Sequence, residues 1–193
     1  MTADQPHTAL RGPVPLAHLL LCSHVRPGDH TADATCGNGN DTLLLAKLVG
    51  PAGHVLALDL QQQALDTTRD LLTAAGVAER VSIVPAGHET IGGLARGPLN
   101  AVVFNLGYLP GGDRSLTTRP ETTCRALEQS LQLLAPGGLL LVTLYPGHDN
   151  GSEAAAVTAW AADLDQRQHH VWRMGQVNVS ASAPYLLLLQ AAL

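Results

Sequence analysis

The sequence has little positive charge. Lys47 is its only lysine, and the formal net charge at pH 7 is −5. Proteins that bind nucleic acid mainly by neutralising phosphates usually carry a basic surplus, so that mode of binding is excluded here. Contact with RNA would have to be local or shared across a homodimer. Four arginines could make such a local contact: Arg114, Arg119, Arg125 and Arg173. The alternative is that they are ordinary solvated surface residues.

Cysteines and long apolar runs are also scarce. The three cysteines, Cys22, Cys36 and Cys124, are widely spaced and form no C-x-x-C pair, which argues against a disulfide framework or a zinc knuckle. The longest apolar runs, such as residues 186–189, are too short to cross a bilayer. The first seven residues are polar and do not form an export signal. We therefore predict a cytoplasmic protein with no membrane partner and no metal.

The chain is long and apolar enough for one well-packed domain spanning residues 1–193, with a helical lead-in at 1–28. It has 193 residues, of which 46% are hydrophobic and 14% are charged. Hydrophobic periodicity and turn residues divide it into alternating segments. Helices are predicted over 15–25, 41–49, 61–75, 120–134 and 153–164, and strands over 30–35, 54–59, 81–84, 101–105, 139–144, 169–178 and 185–190.

This order predicts an α/β fold with a doubly wound, mostly parallel sheet of seven strands, of the Rossmann-like class I methyltransferase type. A turn at 136–138 should lead into the fifth strand, and the last two strands should form an antiparallel pair. Ligands of such sheets bind at the carboxyl ends of the strands. A dehydrogenase would need a second domain for its substrate.

The most informative stretch is DATCGNGNDT, residues 33–42, between the first strand and its helix. Gly37 and Gly39 allow a sharp turn and a close approach of the backbone to a ligand. Asn38 and Asn40 add short amides that can bond a carboxylate, an ammonium or a ribose. Asp41 is placed to cap the helix.

An acid before the bend distinguishes between cofactors. Asp33 at the end of the first strand would attract a cationic group and repel a pyrophosphate. S-adenosylmethionine carries an α-ammonium and a sulfonium, whereas NAD carries the pyrophosphate. The third glycine of the dinucleotide fingerprint is also missing, since Leu43 follows Thr42. Both features favour S-adenosylmethionine, and the alternative is a purely structural turn.

Two further loops extend the predicted cofactor site. Asp59 ends the second strand about 20 residues after the bend, where a carboxylate binds ribose hydroxyls, and Gln61 can reach the same sugar or the base. Gly87 and His88 follow the third strand, where the loop flanks an adenine in folds of this kind. His88 could stack on that base or hydrogen-bond to it, or be an ordinary surface histidine.

Two loops with tyrosines form the predicted acceptor site. Asn105 and Tyr108 follow the fourth strand in an Asn-x-x-Tyr arrangement similar to the N-P-P-Y loop of methyltransferases that act on planar nitrogen groups. Tyr145, His148 and Glu153 follow the fifth strand and become candidates for acceptor binding and proton removal. Structural roles, such as covering the sheet edge or capping a helix, are the alternatives. The adjacent pair His169 and His170 points to opposite faces of a strand and makes a poor metal site.

These motifs, in this order, resemble the YtqB/MnmM-type methyltransferases, a family first labelled as rRNA methylases. The likeness rests on DATCGNGNDT (33–42), ALDLQ (57–61), His88 with Glu89, NLGYLPGGD (105–113) and YPGH (145–148), and covers nearly the whole chain from Pro13. It implies an S-adenosylmethionine-dependent enzyme that methylates the aminomethyl nitrogen of 5-aminomethyl-2-thiouridine at the tRNA wobble position. By resemblance, the cofactor contacts are Asn38, Asn40, Asp59, Gln61 and His88.

The expected reaction is an in-line displacement by a neutral amine, with rate gained mainly from holding the reacting atoms collinear. Asn105 would fix the nitrogen, Tyr108 would pack on the uracil, and Asp113 or His148 would take a proton. Arg114 and Arg119, with Tyr145 and Glu153, complete the predicted substrate site. The alternatives are a methyltransferase acting on rRNA or a small amine, and a non-catalytic module that binds the cofactor.

Overall fold

The computed structural model describes residues 10–109, 111–113, 116–147 and 149–193. Its helices are α1 (Pro13–His24), α2 (Asn40–Val49), α3 (Gln62–Ala74), α4 (Ile91–Leu94), α5 (Pro120–Leu133) and α6 (Ser152–Ala162). Its strands are β1 (His30–Asp33), β2 (His54–Asp59), β3 (Val81–Pro85), β4 (Leu99–Asn105), β5 (Leu134–Leu144), β6 (His169–Met174) and β7 (Tyr185–Ala191).

The seven strands form one sheet in the order β3-β2-β1-β4-β5-β7-β6. The first five pair in parallel, and β7 pairs antiparallel with both β5 and β6. The chain reverses its winding direction between β1 and β4, so the loops that follow these two strands open a crevice at the carboxyl edge. The predicted fold class, including the antiparallel final pair, is confirmed.

Helices cover both faces of the sheet because the central strands are apolar on both sides. One core cluster contains Leu21 of α1, Leu45 of α2 and Val103 of β4. The other contains Phe104 of β4 and Leu127 of α5, both fully buried. Near-continuous apolar strands of this kind are typical of parallel sheets that are buried on two faces.

The structure differs from the prediction at β5. The strand begins at Leu134, so the predicted turn at 136–138 lies inside it. Gly137 has a positive φ of 75°, and the pairing register with β4 shifts between Leu99 and Ala101. This glycine conformation absorbs the irregularity without ending the strand. The sequence analysis also missed the four-residue helix α4 and two short 3-10 turns, Ala78–Arg80 and His88–Thr90.

None of the described helices has the length and apolar character needed to span a membrane.

Candidate functional site

A glycine bend links β1 to α2 at the crevice. Gly37 and Gly39 have φ values of +50° and +80°, in the left-handed region that favours glycine. A Cβ on Gly39 would lie 2.8 Å from Oγ1 and 3.0 Å from Cα of Thr68, so the bend packs tightly against α3. The side chains of Asn38 and Asn40 are exposed beside it. The predicted bend is therefore present, with its amides facing outward.

Asp33 holds the bend from inside the protein. Its side chain is fully buried, and it accepts hydrogen bonds from Thr42 Oγ1 at 2.6 Å and from the Thr35 N–H at 3.3 Å. Burial, followed by the charge of Asp41, raises the pKa of Asp33 to about 7. The predicted direct contact between Asp33 and a cationic cofactor group does not fit this position, because both oxygens of the buried carboxyl group are already bonded to Thr35 and Thr42.

Asp41 does not cap α2, contrary to the prediction. The N-cap residue is Gly39, and the cap has no side-chain hydrogen bond. Instead, Asp41 Oδ1 accepts a hydrogen bond from Nε2 of His18 at 2.5 Å, and Oδ2 accepts one from Nδ2 of Asn105 at 2.5 Å. The carboxylate turns toward these partners because one lies on α1 and the other at the end of β4, on either side of the first turn of α2.

Asn105 is held on two sides. Its backbone N–H donates to Thr35 Oγ1 at 2.7 Å, and its side-chain nitrogen donates to Asp41. Within the described part of the chain, its buried Oδ1 atom has no hydrogen-bond partner. Buried polar atoms almost always have one, so this oxygen is a prepared acceptor for a ligand N–H or O–H.

Asp59 lies half-buried at the end of β2, as predicted for a ribose-binding carboxylate. Oδ2 accepts the Gly37 N–H at 3.0 Å, and Oδ1 accepts the Gln61 N–H at 2.9 Å. Each carboxylate oxygen has lone pairs for a second bond. Oε1 of Gln61 accepts the N–H of Asp113 at 3.1 Å, so Gln61 also ties β2 to the loop after β4.

The loop after β3 presents Gly87 and His88. His88 is only 8% exposed, and its ring meets Phe104 in a T-shaped arrangement with centroids 5.8 Å apart. Burial lowers the pKa of His88, which favours the neutral imidazole. Stacking on an adenine needs an exposed ring face, which the buried His88 does not have, so the predicted stacking does not fit. A hydrogen bond from one edge of the ring is still compatible with this position.

Glu153 is a structural hub, contrary to its predicted role in acceptor binding. Its side chain is fully buried, and its two oxygens accept hydrogen bonds from Thr118 at 2.7 Å and Thr123 at 2.6 Å. Thr118 Oγ1 also accepts the N–H of Gly107 at 2.8 Å. A buried carboxylate thereby fastens the start of α6 to α5 and to the loop that carries Tyr108.

Four of the remaining predicted residues, Tyr108, Asp113, Tyr145 and Arg119, belong to the loops that follow β4 and β5. Tyr108 is 43% exposed in a bridge with Thr117, and Asp113 is exposed. Tyr145 is half-buried, and burial together with the nearby charge of Asp41 raises the pKa of its hydroxyl. Arg119 is exposed at the N-terminus of α5. Arg114 and His148 lie outside the described residues.

His18 is the site residue that sequence reasoning missed. It lies on α1, 23 residues before Asp41, and no motif marks it. The hydrogen bond with Asp41 is the main cause of its raised pKa.

The charge of the crevice suits a cationic ligand. Asp33 and Asp41 are close enough for each charge to matter to the other, and Asp59 adds to the field at Asp33. A pyrophosphate would be repelled here, whereas a sulfonium or an ammonium would be attracted. Together with the outward amides of the bend, this donor set fits S-adenosylmethionine.

Comparisons with known proteins agree with this geometry. The family model described as "Putative rRNA methylase" matches residues 55–190. This chain belongs to that family. A tRNA (mnm(5)s(2)U34)-methyltransferase, chloroplastic, from Arabidopsis thaliana is 41% identical over 74% of this chain and 56% of its own length. The chain spans about half the length of the curated relatives it matches.

Two solved structures are similar over nearly their whole length. A "putative rRNA-methylase" from Clostridium thermocellum has a TM-score of 0.91 and 38% identity, covering 95% of this chain and 100% of that one. A "putative methyltransferase" from Streptococcus mutans, in complex with SAH, has a TM-score of 0.85 and 34% identity, covering 95% and 99%. SAH is what S-adenosylmethionine becomes on losing its methyl group. The predicted family is thus confirmed, and the Streptococcus mutans relative was solved with the demethylated form of the predicted cofactor.

Proposed function

We propose that this protein transfers a methyl group from S-adenosylmethionine to the aminomethyl nitrogen of a modified wobble uridine in tRNA. The observation that carries the proposal is the buried Oδ1 of Asn105, which has no partner within the described part of the chain. An aminomethyl group can donate an N–H to this atom. The name of the Arabidopsis relative supports a wobble uridine as the methylated nucleoside.

The cofactor would be held by the glycine bend and the end of β2. The backbone at Gly37 and Gly39, with the amides of Asn38 and Asn40, would contact its amino-acid part, and Asp59 its ribose. When bound, S-adenosylmethionine supplies an electrophilic methyl group on a cationic sulfur. Asp33 would act indirectly, by keeping Thr35 and Thr42 in place.

Asn105 and Asp41 would organise the acceptor nitrogen. The Asn105 amide donates to Asp41 through Nδ2, which leaves Oδ1 to accept from the amine. The nitrogen becomes positively charged as it accepts the methyl group, and the Asp41 carboxylate beside Asn105 stabilises that charge. The exposed ring of Tyr108 would pack on the uracil.

The amine must be neutral to react, since an ammonium has no lone pair. We propose that Asp113 or His148 accepts the proton that the ammonium form of the substrate must lose. Asp113 is exposed on the loop after β4, so a proton taken there can pass to solvent. In this scheme Asp113 is catalytic through proton transfer, and Asn105 through orientation.

We further propose that tRNA contact is local, as the acidic composition requires. Arg119, immediately before α5, and Arg125 on α5 are exposed. Arg173 on β6 borders a groove of about 480 Å³ that also includes Pro146, next to Tyr145. A homodimer, a cytoplasmic location and a single domain over residues 1–193 stay predictions.

The test is nucleoside mass spectrometry after incubating the purified protein with S-adenosylmethionine and bulk tRNA from cells that lack this modification. We expect the aminomethyl uridine to gain one methyl group, and no other nucleoside to change. Parallel reactions with ribosomal RNA and with a small-molecule amine pool test the two alternative acceptors. Methylation confined to either of those pools would refute the tRNA assignment. Cofactor binding without turnover on any pool would indicate a binding module.

A further inference from the structure

The helix that precedes the methyltransferase motifs contributes a side chain to the site. α1 is anchored by Ala17 and Leu21, which are 3% and 0% exposed. His18 lies between them in sequence but points to the crevice, with 35% of its side chain exposed. Its Nε2 atom lies 2.5 Å from Asp41 Oδ1. The packing of α1 therefore does not depend on this side chain, which is available for another role.

Asp41 divides its two oxygens between His18 and Asn105. Because one oxygen accepts from the imidazole, the other is turned toward the side-chain nitrogen of Asn105 at 2.5 Å. This arrangement fixes the orientation of the Asn105 amide and leaves Oδ1 as the end that has no hydrogen-bond partner among the described residues. A flipped amide would offer N–H groups to the acceptor amine, and a donor cannot bind the hydrogens of another donor.

We propose that His18 is a positioning residue, which holds Asp41 so that Asp41 holds the Asn105 amide with its oxygen toward the acceptor amine. This inference rests on the proposed function.

Charge supports the same role. The groups that face Asp41 are His18 from α1, the buried Asp33 from β1, and Tyr145 after β5. Asp33 and Asp41 repel each other when both are ionised, and a proton on His18 offsets that repulsion. The hydrogen bond with Asp41 raises the pKa of His18, so the protonated form persists closer to neutral pH. As pH rises through that pKa, the imidazole keeps one N–H but loses its charge.

The experiment compares His18→Ala, His18→Gln and the control His24→Ala. Glutamine places an amide N–H near the position of Nε2 but does not titrate. His24 is the last residue of the same helix and is half-buried. Single-turnover methylation of tRNA at saturating cofactor is measured from pH 5.5 to 8.5, together with the affinity for SAH. Thermal unfolding confirms that each variant is folded.

We expect His18→Ala to slow methyl transfer about tenfold, as for loss of a hydrogen bond to a charged group, with SAH affinity unchanged within about twofold. His18→Gln should recover most of the rate and lose the pH dependence that wild type shows across the His18 pKa. His24→Ala should match wild type. A wild-type rate in His18→Ala, or a His18→Gln variant no faster than His18→Ala, would overturn the proposal.

NMR of the cofactor-free protein tests the contact chain without turnover. The Asn105 side-chain NH₂ resonances should shift in His18→Ala and stay in place in His24→Ala. In the wild type, the pKa of the His18 imidazole should be above the ordinary value for histidine. Unchanged Asn105 resonances would refute the inference. Absence of tRNA methylation by the wild type would refute the proposed function instead, while the NMR result would still decide whether His18 controls Asn105.

Discussion

The two sides of the crevice are built in different ways. On the cofactor side, residues 33–42 and 59–61, the carboxylates of Asp33 and Asp59 are held by residues within 22 positions in the sequence. Asp33 is bound by residues two and nine positions away, and Asp59 by residues two and 22 positions away. The acceptor side, formed by the loops after β4 and β5 with the start of α6, is held by side chains that are distant in sequence. Asn105 and Asp41 are 64 residues apart, and Glu153 and Thr118 are 35 apart.

The cofactor side is centred on a sequence motif, whereas the acceptor side is assembled from several elements. The glycine bend is encoded by adjacent residues and then packs on Thr68 of α3, whereas the acceptor side exists only once the sheet has brought its helices and loops together. Damage to the bend should therefore reduce cofactor binding directly. Damage to the long-range contacts should weaken acceptor handling and folding while leaving the cofactor affinity of the folded protein intact.

The largest loss of SAH affinity is expected for Gly39→Ala. The substitution combines a positive φ of 80° with a Cβ only 3.0 Å from the Thr68 backbone. We expect SAH affinity to fall more than about tenfold and the free energy of unfolding to fall by about 1–3 kcal/mol. Calorimetry and denaturant unfolding measure both. Gly76→Ala is the matched control, with φ +67° and no neighbour within 4 Å of the new Cβ. Equal effects of the two variants would contradict the packing argument.

Glu153→Ala tests the hub on the acceptor side. It leaves the hydroxyls of the buried Thr123 and the half-buried Thr118 without their carboxylate, and we expect the free energy of unfolding to fall by about 3 kcal/mol. The KM for tRNA should rise, while SAH affinity measured on the folded fraction stays near wild type. Glu128→Ala, an exposed change on α5, should alter stability by less than about 0.5 kcal/mol. Loss of SAH affinity in Glu153→Ala would show that the two sides are not separable.

The titration of Asp33 should make the stability of the protein depend on pH. The pKa of Asp33 in the folded protein is about 7, well above the ordinary value of 3.8, so between these two pH values the native state holds a proton that the unfolded state has released. Its contribution to stability is complete below about pH 4 and is lost as pH rises to about 7, by at most about 1.4 kcal/mol per pH unit. An asparagine at this position cannot titrate, so this contribution should be absent from the Asp33→Asn variant. The free energy of unfolding of the wild type should therefore fall relative to that of the variant as pH rises from about 4 to about 7. Parallel curves from pH 4 to 8 would show that Asp33 is ionised throughout.

The smallest effect is expected for Arg173→Ala. The Arg173 guanidinium lies 4.1 Å from the centre of the Tyr185 ring, beside the groove that reaches Pro146. We expect tRNA affinity to fall about threefold at low salt, with a shallower salt dependence and an unchanged SAH affinity. Arg167→Ala, which removes an exposed ion pair with Asp165, is the control. Identical tRNA affinity in the two variants would exclude Arg173 from the RNA surface.

The same contrast explains what could be predicted from the sequence. Strand and helix order, the glycine bend and Asp59 follow from local periodicity and spacing, and the structure contains them. Asp41 was predicted to cap α2 and Glu153 to bind the acceptor, and both predictions were wrong because they were made from nearby residues alone. Their partners lie on other elements: α1 and β4 for Asp41, and α5 with its preceding loop for Glu153. His18 was missed for the same reason.

Asn105→Ala tests the central claim most directly. SAH affinity and the single-turnover rate of tRNA methylation are measured on the same preparation, beside wild type. We expect a rate at least about 100-fold lower, because the amine is no longer oriented, with SAH affinity unchanged within about twofold. A variant that methylates tRNA at the wild-type rate, or that loses SAH binding together with turnover, would contradict it.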